Sequence, residues 1–187
     1  MFEKTFYTER LIIREYKKSD IDSFLRVVRQ PEIYATTYAI PRNYTKARAE
    51  WWFKVIKINA KNKTAFEFGM FEKITNRYIG NIGLININSM HNRADIAYYI
   101  DRDYRNMGYT TEAAEEMLRY GFEDLEFKRI SGMCMSINPA SRRVMEKIGM
   151  KFEGTARSEL LKDKVYYDID HLAILDTEYF TNCKVKK

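Results

Sequence analysis

Apolar positions recur along this chain with two different periods, and the switches between them mark out its elements. Leu11-Ile12-Ile13-Arg14 is short, apolar and β-branched, which predicts a strand. Ser19 or Asp20 can then cap a helix reaching about Val28, with Ile21, Phe24, Leu25 and Val28 on one face. Residues 30–44 hold Pro31, Pro41 and many hydroxyl side chains, which predicts a loop. Thr45 caps a second helix through about Asn59, where Trp51, Trp52, Val55 and Ile56 are expected to pack into the core.

The period then shortens. Thr64–Glu72, Tyr78–Asn88 and Arg93–Ile100 read as three strands joined by tight turns, an antiparallel meander. A loop, Asp101–Gly108, leads to a helix over Thr110–Phe122 with Ala113, Ala114, Met117, Leu118 and Gly121 inward. The short apolar strand Arg129–Met135 follows a helix, so its natural place is parallel to Arg93–Ile100 through a right-handed crossover. Asn138-Pro139 opens another helix, Gly149 closes it, and Lys151–Leu161 with Val165–Leu175 form a hairpin over residues 162–164. The expected fold is α/β (α+β): one domain over residues 1–187 with a peripheral tail from about 179. Its mixed, mostly antiparallel sheet would be flanked by about four helices.

Composition narrows the function. The 187 residues are 45% hydrophobic and 31% charged, an ordinary globular mixture. Thirty-two Lys and Arg against 26 Asp and Glu leave a formal charge of +6, which suits an anionic partner. No basic stripe with interleaved aromatics points to direct nucleic-acid binding. Cys134 and Cys183 are too few for a disulfide framework or a zinc site, and His91 and His171 have no metal-ligand spacing, so no metal is expected. No stretch approaches the ~18 apolar residues of a membrane span, and no apolar core of signal-peptide length lies in residues 1–14. A cytoplasmic location is therefore the expectation. Neither G-x-x-x-x-G-K-[ST] nor G-x-G-x-x-G occurs.

The segment Asp101–Glu112 joins a strand to a helix. Helix N-termini present unpaired N–H groups and partial positive charge, Gly108 allows close approach, and Arg105 adds a phosphate donor. A pyrophosphate fits such a loop, and so does an ordinary strand-to-helix turn. Here Arg105-Asn106-Met107-Gly108-Tyr109-Thr110 resembles the R-x-x-G-x-G/A loop of the GNAT N-acetyltransferase superfamily. The resemblance extends over Thr8-Glu9-Arg10-Leu11, Ile79-Gly80-Asn81-Ile82-Gly83, Arg93-Ala94-Asp95-Ile96, Asn138-Pro139-Ala140-Ser141-Arg142-Arg143 and Glu146-Lys147-Ile148-Gly149-Met150. It covers about residues 8–178 and looks most like the branch of ribosomal-protein alanine and serine N-acetyltransferases.

That resemblance implies acetyl-CoA as cosubstrate, lying between splayed strands Arg93–Ile100 and Arg129–Met135. It implies cofactor contacts from Tyr98, Ile100, Arg105, Asn106, Met107, Gly108, Tyr109, Thr110, Asn138, Ser141 and Arg142. Thr110 departs from the usual Gly or Ala, and Met145 stands where many members carry a proton-donating tyrosine. Ser141 is the alternative donor to the leaving thiolate. Asp95 is the first candidate base and Glu67 the second. Tyr38 and Tyr44 are expected on the acceptor side. The implied reaction is direct attack of a primary amine, the N-terminal amine of a protein such as a ribosomal protein. A small amine as acceptor and an acyl-CoA sensor without turnover stay open, as do monomer and homodimer.

Overall fold

The computed structural model describes residues 4–185 in backbone, and side chains only as far as residue 181, so the Cys183 side chain lies outside the described residues. β1 (Thr5–Tyr7) and β2 (Leu11–Arg14) lead into α1 (Ile21–Val28), α2 (Pro31–Thr36) and α3 (Lys46–Asn62). Then come β3 (Phe66–Glu72), β4 (Tyr78–Asn88), β5 (Arg93–Ile100) and α4 (Tyr109–Arg119). β6 (Arg129–Met135), α5 (Pro139–Lys147), β7 (Lys151–Lys162), β8 (Val165–Leu175) and α6 (Asp176–Val185) complete the chain. The eight strands form one sheet in the order 1-2-3-4-5-6-8-7. Every neighbouring pair is antiparallel except β5–β6.

The caps form where the sequence places them. The Thr45 side chain accepts from the Arg48 N–H, Asn138 from the Ser141 N–H, and Gly149 ends α5 at φ +90°. Three expectations need correction. Residues 30–44 are not all loop: Pro31 at the first turn starts the six-residue α2, which buries Ile33. It is too short to display a helical period. With α6 the described helices number six, not about four. Trp51 is 58% exposed, while Trp52 stacks on Phe24 with ring centroids 5.2 Å apart. Adjacent helical residues diverge by about 100°, so the two tryptophans cannot share one buried face.

Two apolar cores cover the two sheet faces. One gathers Leu11, Ile13, Phe68, Met70, Ile82 and Leu84 with Met117 and Leu118 of α4. The other sets Phe24, Val28, Phe53 and Ile56 of α1 and α3 over Tyr16, Phe71 and Tyr78. Among the described residues, no helix is long and apolar enough to cross a membrane.

The β5–β6 pair is brief. Its register covers Arg93↔Arg129, Ala94↔Ile130 and Asp95↔Ser131, then stops. Beyond it β5 stays bonded to β4 as far as Ile100↔Gly80, and β6 to β8 as far as Met135↔Ile169. Met145, buried in α5, sits just past the last pair: its Sδ lies 2.5 Å from where a Cβ on Gly132 would stand, and Ile96 borders the same spot. The strands therefore part around a side chain, and the facing edge of β5 is left without a ladder partner.

Asp101 ties the loop after β5 to the first helices. Its carboxylate, wholly buried, accepts from Arg26 Nη1 (2.7 Å) and Gln30 Nε2 (2.8 Å), while Gln30 Oε1 accepts from the Arg102 N–H. Burial opposes ionisation, but the hydrogen bonds from Gln30 and Arg26 outweigh it and hold this carboxyl below its usual range. Removing one member strands the other polar groups. Asp101→Ala is expected to cost about 3 kcal/mol in urea unfolding, against less than about 1 kcal/mol for exposed Asp103→Ala.

Candidate active site

Where β5 and β6 part, a cavity of about 800 Å³ opens between α4 and α5 on one side and α2 and α3 on the other. Its size is that of a ligand cleft. On the α4 side, Gly108 precedes the helix in the left-handed region at φ +83°, and no side chain caps the terminus. The first N–H groups of α4, from Gly108 to Thr111, thus have no intrahelical partner. Asn106 is also left-handed, at φ +61°.

Arg10 of the second strand's lead-in holds this loop in place. Its Nη1 donates to the Met107 carbonyl (2.8 Å), its Nε to Glu112 (2.7 Å), and its guanidinium lies 4.4 Å from the Tyr109 ring centroid. Glu112 also accepts from the Arg10 N–H and Thr8 Oγ1. Burial would raise the Glu112 pKa, yet these bonds keep it below the ordinary value. The Thr8-Glu9-Arg10 segment is therefore a brace for the anion loop, far away in sequence.

The structure brings most of the expected cofactor residues together. Tyr98, Ile100, Arg105 and Asn106 line the cavity, as do Gly108, Tyr109 and Thr110. Asn138 and Ser141 line it from α5. Two do not. Met107 points outward, with only its carbonyl engaged by Arg10. Arg142 turns away to Asp170 (3.1 Å) and Glu146 (3.0 Å), over the Phe152 ring, and leaves Arg143 and Lys147 of α5 on the cavity wall. One helical step separates the residue that faces the cavity from the one that does not. Arg105, Arg143 and Lys147 make this side cationic.

Tyr98 reaches across the gap to α5. Its hydroxyl donates to the Ser141 carbonyl (3.0 Å) and lies 3.1 Å from Ser141 Oγ. Burial pushes the Tyr98 pKa upward, so the phenol stays protonated. Cys134, also on the wall, is pushed up to about 11 by burial and stays a thiol.

Both candidate bases line the α3 side. Asp95 accepts from Asn86 Nδ2 at 2.9 Å in an exposed setting. Glu67 is partly buried, and burial pushes its pKa up to about 7; a contact from Asn81 Nδ2 (3.5 Å) opposes that weakly. Glu67 faces Gly83 across the ladder, and a Cβ there would stand 2.9 Å from Glu67 Cγ. Tyr38 and Tyr44 line the same side with Arg48 and Trp51. Tyr44 is mostly buried, edge-on to Phe24, so only part of it can meet a ligand. Sequence reasoning missed Tyr99, Asn81 and Arg48. The two-residue period of β5 places Tyr99 on the same face as Asp95 and could have found it.

These features fit acetyl-CoA: bare helix amides and three cationic side chains for the phosphates, and an unpaired strand edge for the pantetheine amides. Among the described residues no His, Cys, Asp and Glu group could hold a metal ion. The model of the Acetyltransferase (GNAT) domain matches residues 10–151. The chain belongs to the GNAT acetyltransferases.

This acetyltransferase is 29% identical to the "Uncharacterized N-acetyltransferase YnaD" of Bacillus subtilis (strain 168), over 92% of this chain and 97% of the relative. It is 33% identical to the "Putative ribosomal N-acetyltransferase YdaF" of the same organism, over 54% of this chain and 55% of that one. The structure of spermidine N-acetyltransferase from Vibrio cholerae, in complex with CoA and spermine, superposes with a TM-score of 0.81. It covers 92% of this chain and 99% of that one at 19% identity, a likeness of fold. The protein is an acetyl-CoA-dependent N-acetyltransferase. Because Arg10 braces the anion loop, Arg10→Ala should raise the KM for acetyl-CoA about tenfold and leave the acceptor KM unchanged in steady-state assays, about the value of one charged hydrogen bond.

Proposed function

We propose that the acetyltransferase acts on the N-terminal amine of a protein, with Glu67 as base and Ser141 as proton donor to the leaving thiolate. The observation that carries the acceptor reading is the make-up of the α3 side. Tyr38, Tyr44 and Trp51 offer apolar walls with polar tips, and among the described residues two carboxylates, Glu67 and Asp95, line the cavity together with one arginine of α3, Arg48. A peptide end brings one cation followed by neutral backbone, which suits that balance. A polyamine brings several cations and would meet an arginine. The relation to YdaF, named as a ribosomal N-acetyltransferase, supports the same reading.

The chemistry needs a neutral amine, a polarised thioester and a proton for sulfur. Glu67, titrating near pH 7, takes one proton from the entering ammonium, as a base matched to the working pH should. Its burial favours it over Asp95, reversing the order expected from resemblance. The amine nitrogen attacks the thioester carbon, with the unpaired N–H groups of β5 available to its oxygen. The C–S bond then breaks, and the second amine proton, lost as the amide forms, passes to the thiolate through Ser141 Oγ, which Tyr98 holds in place. Met145 takes no part: it is a wedge with no proton to give. Positioning both substrates in one cleft contributes much of the rate.

A second reading, a polyamine acceptor, has Glu67 and Asp95 in its favour. Purified protein given acetyl-CoA with hexapeptides beginning Ser or Ala, and separately with spermidine, decides between them by mass spectrometry. The peptides should be preferred at least about tenfold in kcat/KM; a preference for spermidine overturns the peptide reading.

Glu67 also has a pH signature. kcat/KM should rise with pH to a plateau above about 7, and Glu67→Gln should lose about 100-fold and the acid limb with it. A carboxyl whose pKa is raised on folding destabilises the fold as pH climbs from its unfolded value, near 4.5, through about 7. Glu67→Gln should therefore raise the Tm at pH 8 and leave it nearly unchanged at about pH 4.

A further inference from the structure

Tyr16, Tyr78, Tyr99 and Asn81 form a hydrogen-bonded chain that ends at Glu67, and the mechanism above uses only Glu67. Tyr16 Oη lies 2.6 Å from Asn81 Oδ1, Tyr78 Oη 3.1 Å from Tyr16 Oη, and Tyr99 Oη 2.9 Å from Tyr78 Oη. Asn81 Nδ2 points at Glu67. Tyr16 crosses Gly69, where a Cβ would stand 3.2 Å from its ring, so the chain occupies a space that the backbone leaves for it.

Each phenol has one hydrogen, and counting them fixes the direction of the whole chain. The Asn81 carbonyl oxygen can only accept, so Tyr16 must donate to it. Tyr16 then has no hydrogen left, so Tyr78 donates to Tyr16. Tyr99 in turn donates to Tyr78. Burial raises the pKa of all three phenols well above the ordinary value, so none loses its hydrogen near neutral pH. Every hydrogen runs inward, towards Asn81. The Tyr99 oxygen is left with lone pairs and no hydrogen to offer, and no group among the described residues donates to it.

Tyr99 is half-buried and lines the cavity. It pairs with Asn81 across β4–β5, and Asn81 pairs with Gly69, two residues from Glu67, so all three side chains share one sheet face. Two acceptors therefore look into the α3 side of one cavity, the Glu67 carboxylate and the Tyr99 oxygen. An ammonium has three N–H donors and no acceptor. We propose that Tyr99 binds the acceptor amine, its oxygen taking one N–H while Glu67 takes another, and that the Tyr78–Tyr16–Asn81 chain holds it in that acceptor-only state. With one proton gone to Glu67, the remaining bond to Tyr99 helps to turn the nitrogen lone pair towards the thioester.

The inference rests on N-acetyl transfer and not on which amine is the acceptor, so the test uses both the Ser-initiated hexapeptide and spermidine, with whichever is acetylated as the probe. Failure of the peptide alone bears on the peptide reading; the Tyr99 comparison proceeds on the other amine. In the full chain, Tyr99→Phe should raise the acceptor KM about tenfold, with kcat lowered less and the acetyl-CoA KM unchanged. Tyr78→Phe keeps the Tyr99 oxygen but frees its hydrogen, and should raise the acceptor KM about two- to threefold. An acceptor KM within twofold of wild type in Tyr99→Phe overturns the proposal, as does one that moves in step with the acetyl-CoA KM, the mark of a structural defect. Should Tyr99→Phe fail to fold, an unchanged acceptor KM in Tyr78→Phe overturns it.

Discussion

The site depends on a parallel strand pair that is made and then abandoned. Three register pairs join β5 to β6, enough to keep one sheet, and Met145 against Gly132 then keeps the strands apart. An unpaired sheet edge is ordinarily a liability. In this fold it faces into a cleft where a ligand of extended shape can satisfy it. The same divergence leaves room for α4 to aim its N-terminus at the opening and for α5 to supply Ser141 from the opposite wall. The rest of the sheet stays continuous, because each of the two strands keeps its outer partner beyond the point of parting.

Charge is sorted around that opening. The wall formed by the loop before α4 and by α5 carries Arg105, Arg143 and Lys147, and the α3 side carries Glu67 and Asp95. The acids of and beside the loop are taken by partners outside the cavity lining: Glu112 by Arg10 and Thr8, Asp101 by Arg26 and Gln30, and Asp103 by Arg77 and Arg102, as Asp170 on β8 is by Arg142. The net positive charge of the chain is thereby expressed where an anion is to be held, without free carboxylates beside it.

Much of this was legible in the sequence. The meander, the crossover into Arg129–Met135, and the caps at Thr45 and Asn138 follow from period and cap chemistry alone, and the structure has them. The anion loop was visible as a type of turn, and the ordered resemblance made it specific. α2 was not visible, because six residues give no period. Arg142 and Arg143 could not be told apart, since their assignment turns on a single helical step that tertiary packing sets. Tyr16 and Tyr78 are part of the aromatic core, and that their hydroxyls join into one chain depends on strand register, which no local pattern encodes.

In the proposed mechanism, Glu67 is where such a register becomes chemistry. A carboxylate placed under aromatic side chains without a cation is expensive, and a fold selected for stability alone would replace it. Here the polar groups around it are complete rather than strong. Asn81 gives one weak contact, and the three phenols spend their hydrogens on one another and on the Asn81 carbonyl. None of these groups neutralises the carboxylate, so its proton affinity is left high and available for an amine. An arginine in place of Asn81 would pair with Glu67, lower its pKa and make it a poorer base, at a gain in stability. A neutral amide at this point keeps the carboxylate oriented and still basic, and under the proposed mechanism that choice links the polar interior of the α1–α3 face to the reaction in the cleft.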